Sequence, residues 1–379
     1  MRVSQLVLTH SCPEPAVLSP LASIQPQVVL AFGSVATLRD SASVLRQVFA
    51  QAHIAGCSTA GEISQRGVSD ASLVLTALAF DNCHVEQAST VLVGMQDSFA
   101  AGQRLASGLP AEGLRAMLLL GQGVQINGSA LLAGIAQVVG PQVLITGGLA
   151  GDGGDFKETW VLDDQGVSCD RLVCLGFYGS ALRISHGSFG GWSTFGPARK
   201  VTRSDGNVLY ALDGESALEV YKRYLGEHAK ALPASGLLFP FAMLGKDHSV
   251  LGLIRTILGV NESEGSLTLA GDIDPDGYLK LMHASTDGLV DGAVAAAVAA
   301  LPDSPPARPG LAVLVSCVGR KLVMGGRVEE EVEAVADVLG PQTTLSGFYS
   351  YGEISPFNKE MDCKLHNQTM TITYFSEAV

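Results

Sequence analysis

Charge is scarce in this sequence, and positive charge most of all. Only 16% of the 379 residues are charged, and 24 Lys and Arg stand against 37 Asp and Glu, for a net charge of −13. Nucleic-acid binding draws on cations that displace counterions from phosphate, so a nucleic-acid partner is excluded. The seven cysteines (Cys12, Cys57, Cys83, Cys169, Cys174, Cys317 and Cys363) are odd in number and form no C-x-x-C, which argues against a disulfide framework or a zinc knuckle. No window holds 18 uninterrupted apolar residues, and the opening "MRVSQLVLTHSCPEP" has no apolar run with a cleavage site. A soluble, cytoplasmic protein without membrane association is the expectation. No G-x-x-x-x-G-K-[ST] is present, so a Walker-type phosphate loop is absent too.

What the chain does have is apolar residues (47%) and 44 glycines, with few aromatics (6%). That mixture suits strands and helices buried on their inner faces and joined by tight turns, an α/β fold. At 379 residues two domains are expected.

One stretch is written twice. "IAGCSTAGEIS" (Ile54 to Ser64) returns as "LSGFYSYGEIS" (Leu345 to Ser355), with Gly, Gly, Glu, Ile and Ser in register. Each copy follows a β-rich run and an amphipathic helix: "PQVVLAFGS" with Leu38, Ala42, Leu45 and Phe49, then "LAVLVSCVG" with Val328, Val332, Val335, Ala336 and Leu339. The peptide therefore marks a duplicated β-α-β unit. A weaker third copy runs from "AMLLLGQG" through a helix capped by Asn127, with Leu131, Ile135 and Val138 inward, to "VLITGGLAGDGGDF", where the Glu is missing. Hairpin-like pairs lie between: "LVLTALAF" with "CHVEQAST", and "DRLVCLGFYG" with "ALRISHGS". The second half adds a helix over Glu215 to Lys230, several β runs and the proline-rich "LPDSPPARPG". The expected architecture is two related α/β halves, residues 1–205 and 206–379, with mixed sheets covered by helices in an αββα layering.

Glycines at strand ends bring backbone N–H groups close to a neighbour or a ligand. The ligand-binding candidates are Gly56, Cys57, Ser58, Gly61, Glu62, Gly148, Asp152, Gly347 and Glu353. Cys57 with nearby His53 could also be a thiol and its base, though "GCSTAG" is not G-x-S-x-G.

These motifs, "GCSTAGEI", "GGLAGDG", "SGFYSYGEISP" and the closing "LHNQTMTITYF", resemble the FIST sensory family in its N- and C-terminal halves. The resemblance implies a non-enzymatic ligand sensor of bacterial signal transduction. Stand-alone chains of this size with these C-terminal motifs are similar to the nitric-oxide-sensing FIST haemoproteins, which bind haem b and act on a sensor histidine kinase or a cyclic-di-GMP enzyme.

A haem needs an axial donor, an apolar slot and cations for its propionates. His186 is the proposed iron ligand. It ends "ALRIS" and opens "GSFGGWSTFGP", where Trp192 and Phe195 offer flat walls, and Arg199, Lys200 and Arg203 follow. His366, read on one strand face with Met370, Ile372 and Tyr374, is the second candidate, and Tyr349 and Tyr351 would pack on a ligand lying between the halves. A homodimer is compatible with this reading. The alternative is a sensor of a small polar ligand such as an amino acid, without haem, with Glu62 and Glu353 reading an ammonium group.

Overall fold

The computed structural model describes residues 1–9, 13–302, 310–356 and 363–378. His10, Cys12 and most of the proline-rich 301–310 connection lie outside the described residues.

The unit read as two strong copies and one weaker copy in the sequence occurs three times in the fold. The first unit runs β1 (Arg2–Leu8), α1 (Ser19–Ala22), β2 (Val28–Gly33), α2 (Val35–Val48), β3 (His53–Ser58), a short hairpin of β4 (Glu62–Ser64) and β5 (Gly67–Ser69), and β6 (Leu73–Ala79). The second repeats this order as β7 (His84–Val91), α3 (Ser98–Ser107), β8 (Leu114–Gly121), α4 (Gly128–Val139), β9 (Leu144–Leu149), the hairpin β10 (Val161–Asp163) and β11 (Gly166–Ser168), and β12 (Arg171–Tyr178).

The third unit opens with β13 (Leu182–Phe189) and then takes an insertion. The insertion carries β14 to β22 (Ser193–Thr194, Arg199–Asp205, Val208–Leu212, Glu215–Ser216, Phe241–Leu244, Val250–Arg255, Ile257–Asn261, Ser266–Leu269 and Tyr278–His283) and α5 (Ala217–Leu225). The unit resumes with α6 (Thr286–Ala300), β23 (Leu311–Cys317), α7 (Val318–Met324), α8 (Glu329–Leu339), β24 (Thr344–Ser350), the hairpin β25 (Gly352–Pro356) and β26 (Cys363–His366), and β27 (Met370–Glu377).

Each unit gives its hairpin away. The three six-stranded sheets read β1-β6-β2-β3-β10-β11, β7-β12-β8-β9-β25-β26 and β13-β27-β23-β24-β4-β5. Unit 1 completes the sheet of unit 3, unit 2 that of unit 1, and unit 3 that of unit 2. The gift covers what would otherwise be the open edge of β3, β9 or β24, whose unpaired N–H and C=O groups invite association.

The sheets close like the sides of a triangular prism around one core, in which Phe32, Leu118, Phe177, Val313, Phe348 and Phe375 meet. Phe32 and Phe348 tie the first sheet to the third at 4.8 Å between ring centroids, and Phe177 and Phe375 tie the second to the third at 5.1 Å. Outside, α2 covers the first sheet, α3 and α4 the second, and α6 and α8 the third. The mixed sheets and helical cover agree with the sequence. The layering does not follow αββα, because three sheets share the inner core, and Val138 points outward on α4 at 42% exposure. Nor do the hairpin-like pairs form hairpins: β6 and β7, and likewise β12 and β13, fall in different sheets, so each such turn is a unit boundary.

The first glycine of the repeat now has a reason. A Cβ on Gly56 would lie 2.1 Å from the carbonyl oxygen of Ala31, on Gly147 1.9 Å from that of Leu119, and on Gly347 1.8 Å from that of Leu314. These are the points where a strand runs beside its parallel neighbour just before it leaves for the next sheet. We expect Gly56→Ala and Gly347→Ala each to cost about 3 kcal/mol or more in urea unfolding, since neither backbone can retreat. Gly326→Ala, where no atom lies within 4 Å of the added Cβ, should leave the midpoint nearly unchanged.

Candidate functional site

The three glycine motifs converge, as their sequence kinship suggests, but on a packed junction. Ala60 N donates to Tyr349 O and Tyr349 N to Gly61 O, Gly151 N to Ser58 O, and Tyr351 N to Leu149 O. The Glu of the motif is a clamp. Glu62, 1% exposed, accepts from Thr59 Oγ1 (2.5 Å), Ser72 N (3.0 Å) and Ser72 Oγ (2.8 Å). Glu353, fully buried, accepts in the same way from Ser350 Oγ (2.7 Å), Thr369 N (3.1 Å) and Thr369 Oγ1 (3.0 Å). Val161 occupies this place in the second unit, opposite Cys57 as Glu353 stands opposite Gly148. With their oxygens taken up inside the fold, the two carboxylates are not placed to read an ammonium group.

The remaining members of the glycine set are also occupied. Tyr349 OH donates to Glu331 Oε1 (2.6 Å), and Tyr351 OH bonds Asp152, whose carboxylate also caps the N–H groups of Phe156, Lys157 and Glu158. On Gly148 a Cβ would strike Val315 and Phe348, so that glycine serves packing. Burial pushes the Cys57 and Cys317 thiols up, which keeps them protonated and disfavours either as nucleophile or iron ligand.

The cluster proposed for haem is dispersed. Strand β13 continues through His186 to Phe189, and His186 sits half-buried on its inner face opposite Thr373. Trp192 Nε1 donates to Gln368 O at 2.9 Å. Phe195 and the cations belong instead to the insertion. Phe195 packs beside Phe239 and His283, Arg199 bonds Asp213 (3.1 Å) and Tyr224 OH (2.7 Å), and Arg203 stacks over Tyr210, while Lys200 lies between them on β15. Phe195, Arg199, Tyr221, Tyr224 and Phe241 line a pocket of about 10 Å³, room for roughly one water molecule, with no histidine on its wall. The residues do not fit a haem held by His186.

Another set of polar groups gathers where the insertion meets the prism. His366 is not on one strand with Met370. It ends β26 in the second sheet, and Asn367, Gln368 and Thr369 form a wholly buried turn, with Gln368 at φ 63°, into β27 of the third. Arg255, at the end of β19, reaches strand β26: Nη1 donates to Leu365 O (3.3 Å) and Ile254 O (3.1 Å), and Nε to Asp272 O (3.0 Å). Gln368 Nε2 crosses to Leu237 O (2.9 Å) in the insertion, and His366 Nε2 lies 3.1 Å from Ser355 O.

Among the described residues, five buried side-chain atoms lack a hydrogen-bond partner: Ser188 Oγ on β13, Arg199 Nε on β15, Thr256 Oγ1 between β19 and β20, Asn367 Oδ1 and Gln368 Oε1. Thr256, Asn367 and Gln368 are each at least 95% buried, and such orphans are rare in folded proteins. Burial is the main reason that His366 titrates low, at about 4, with Arg255 and His186 close enough to add repulsion; burial lowers His186 as well. Both imidazoles are neutral near pH 7, able to donate and accept. The sequence flagged His186, Trp192 and His366 but missed Arg255, Asn367 and Gln368. The available signal was a lone Arg inside the apolar run "LGLIRTILGV".

Two buried groups make opposite pH signatures. Glu353 titrates near 4.5 when unfolded and at about 7 when folded, raised by burial, so folding takes up a proton and stability falls as pH rises from 4.5 to 7. His366 drops from 6.5 to about 4, so folding releases a proton and stability rises with pH across that window. Urea midpoints measured from pH 4.5 to 6.5 should therefore slope upward in Glu353→Gln relative to the parent and downward in His366→Asn. Equal slopes in all three proteins would overturn both assignments.

No helix among the described residues is long and apolar enough to cross a membrane. No curated protein matches the chain. Among solved structures it is similar to cyanuric acid hydrolase from A. caulinodans, at 9% identity over 100% of this chain and 99% of that one, with a TM-score of 0.36. Residues 27–215 match the FIST N domain and residues 217–356 match the FIST C domain. Two adjoining matches, in the order that the repeated glycine motifs suggest, place the protein in the FIST family.

Proposed function

We propose that this protein is a cytoplasmic ligand sensor of bacterial signal transduction, without catalytic activity of its own, whose input is a small polar ligand bound where the insertion meets the prism. The FIST domains support the sensory role. The observation that carries the ligand site is the set of buried polar atoms at Ser188, Thr256, Asn367 and Gln368 that have no partner among the described residues. A ligand that satisfies them fastens β19 and the β26–β27 turn together, and so biases how the insertion sits on the third and second sheets. A signal requires that kind of differential affinity for two arrangements. The output in this reading is a changed surface for a histidine kinase or a cyclic-di-GMP enzyme.

The haem and nitric oxide reading competes with it. In its favour, His186 and His366 face the same region. Against it, the aromatic and cationic residues expected around the macrocycle pack within the insertion.

Thermal unfolding against a panel of polar metabolites, with haemin as a parallel arm, decides between them. A ligand at a hundred times its Kd stabilises the folded state by about 2.7 kcal/mol, an increase of several degrees in Tm. The expected result is such an increase with a polar metabolite, a change in Trp192 fluorescence, and no haemin uptake. A stoichiometric Soret band that shifts with nitric oxide and vanishes in His186→Ala would overturn the proposal.

A further inference from the structure

Two corners of the prism repeat one hydrogen-bond network and finish it differently. Where unit 2 lends its hairpin to the first sheet, Gln87 of β7 accepts from Asp164 N in the β10–β11 turn (2.9 Å) and donates from Nε2 to Ile54 O (2.9 Å), while Ile54 N donates to Asp164 Oδ1 (2.7 Å). Where unit 1 lends its hairpin to the third sheet, Gln5 of β1 accepts from Gln65 N in the β4–β5 turn (2.9 Å) and donates from Nε2 to Leu345 O (2.8 Å), while Leu345 N donates to Gln65 Oε1 (3.0 Å). Gln5 matches Gln87, Gln65 matches Asp164, and Thr344 matches His53. The network belongs to the architecture and needs no ligand. The space beside it is another matter. In the first corner the His53 ring closes on Asp164, Nδ1 to Oδ2 at 2.6 Å, and Arg46 holds the turn through Gln165 O at 3.2 Å. In the second, Gln65 and Thr344 form no such pair, and a cleft of about 370 Å³ opens between β1, the β4–β5 turn and the loop from α8 to β24.

That volume suits a small organic molecule rather than a bare ion. Gln5, Val7, Gln65, Arg66, Pro341 and Thr344 line the cleft, and no carboxylate lies on its wall. Arg66 is the single charged residue there; it is exposed, and its guanidinium has no hydrogen bond or ion pair among the described residues. Gln65 Nε2 and Thr344 Oγ1 are also without partners among the described residues, whereas Oε1 of both glutamines already accepts a backbone N–H. The spare capacity of the wall is therefore mostly for donating. The C-terminus of α8 lies just before Pro341 and its dipole opposes an anion, but Leu339 O is taken up by Thr343 Oγ1 (2.9 Å) and Gly340 O by Thr343 N (3.2 Å). We propose that this cleft binds a small organic acid, with its carboxylate on Arg66 and Thr344 and its apolar body against Val7 and Pro341. A single guanidinium suits one carboxylate, which its fork can bind through two parallel hydrogen bonds. The site is separate from the one at the insertion, none of whose residues line it. Its occupant touches unit 1 and unit 3 together, and so tightens one of the hairpin exchanges.

Isothermal titration of the full chain with hexanoate, benzoate and 4-hydroxybenzoate, each paired with its carboxamide, tests this. At least one acid should bind, with its amide markedly weaker. Arg66→Gln, an exposed change that leaves the fold intact, should weaken that acid about fivefold or more, the upper end of what an exposed ion pair contributes. The double variant Gln65→Asp/Thr344→His rebuilds the closed corner found at Asp164 and His53, and should keep the parent's unfolding midpoint while losing the acid. Binding of none of the acids, amides that bind as well as acids, or an acid held as tightly by Arg66→Gln or by the double variant as by the parent would overturn this inference. An acid lost in Asn367→Asp but kept in Arg66→Gln sits at the insertion instead, which would overturn this inference and leave the earlier proposal standing.

Discussion

The fold hangs on a close backbone approach repeated three times. At Gly56, Gly147 and Gly347 a strand lies so near its parallel neighbour that no side chain fits, and a few residues later the chain leaves that sheet to pair with the next. A bulkier residue at any of these points would push the strand away from its neighbour, and the crossing segment would then miss its partner sheet. The inner core depends on the same geometry, since Phe348 and Cys57 directly follow two of these glycines. In units 1 and 3 a buried Glu secures the crossing by tying the turn it leaves to the strand that follows. That costs the desolvation of a carboxylate, which three hydrogen bonds offset.

These facts explain which parts of the architecture were legible in the sequence. The first and third units announce themselves because both keep the Glu clamp, and G-x-x-x-x-G-E-I-S is an unusual string to find twice. The second unit is faint because Val161 replaces the Glu and a longer loop, held by Asp152 and Tyr351, separates β9 from β10. Strands and helices followed from their apolar periodicity. Which strand joined which sheet did not, because exchange of a hairpin between units leaves no mark on hydrophobic patterning. Short turns such as the one between β6 and β7 look like hairpin turns for the same reason.

The junction was less legible still. It draws on β13, the β19–β20 turn, the stretch around Asp272 and the β26–β27 turn, segments that are far apart in sequence and carry no common motif. His366 was read as inward-facing from a run that looks like one strand, whereas the left-handed Gln368 breaks that run and sends its two arms into different sheets. Trp192 bonds the backbone of Gln368, and its companions Phe195, Arg199, Lys200 and Arg203 lie in the insertion. Proximity in sequence was a poor guide where the chain entered a separate sheet within a few residues.

The hairpin exchange also bears on how the chain can be divided. The boundary between the two FIST domains, near residue 216, falls inside the insertion. The second sheet needs β25 and β26 from the C-terminal side, and the third needs β4 and β5 from the N-terminal side. The two domains are thus names for stretches of sequence, while the unit that folds is a closed ring of three, each member finished by another. In such a ring a disturbance at one crossing is felt by two sheets at once, so the insertion, mounted between β13 and α6, is joined to an assembly that answers as a whole.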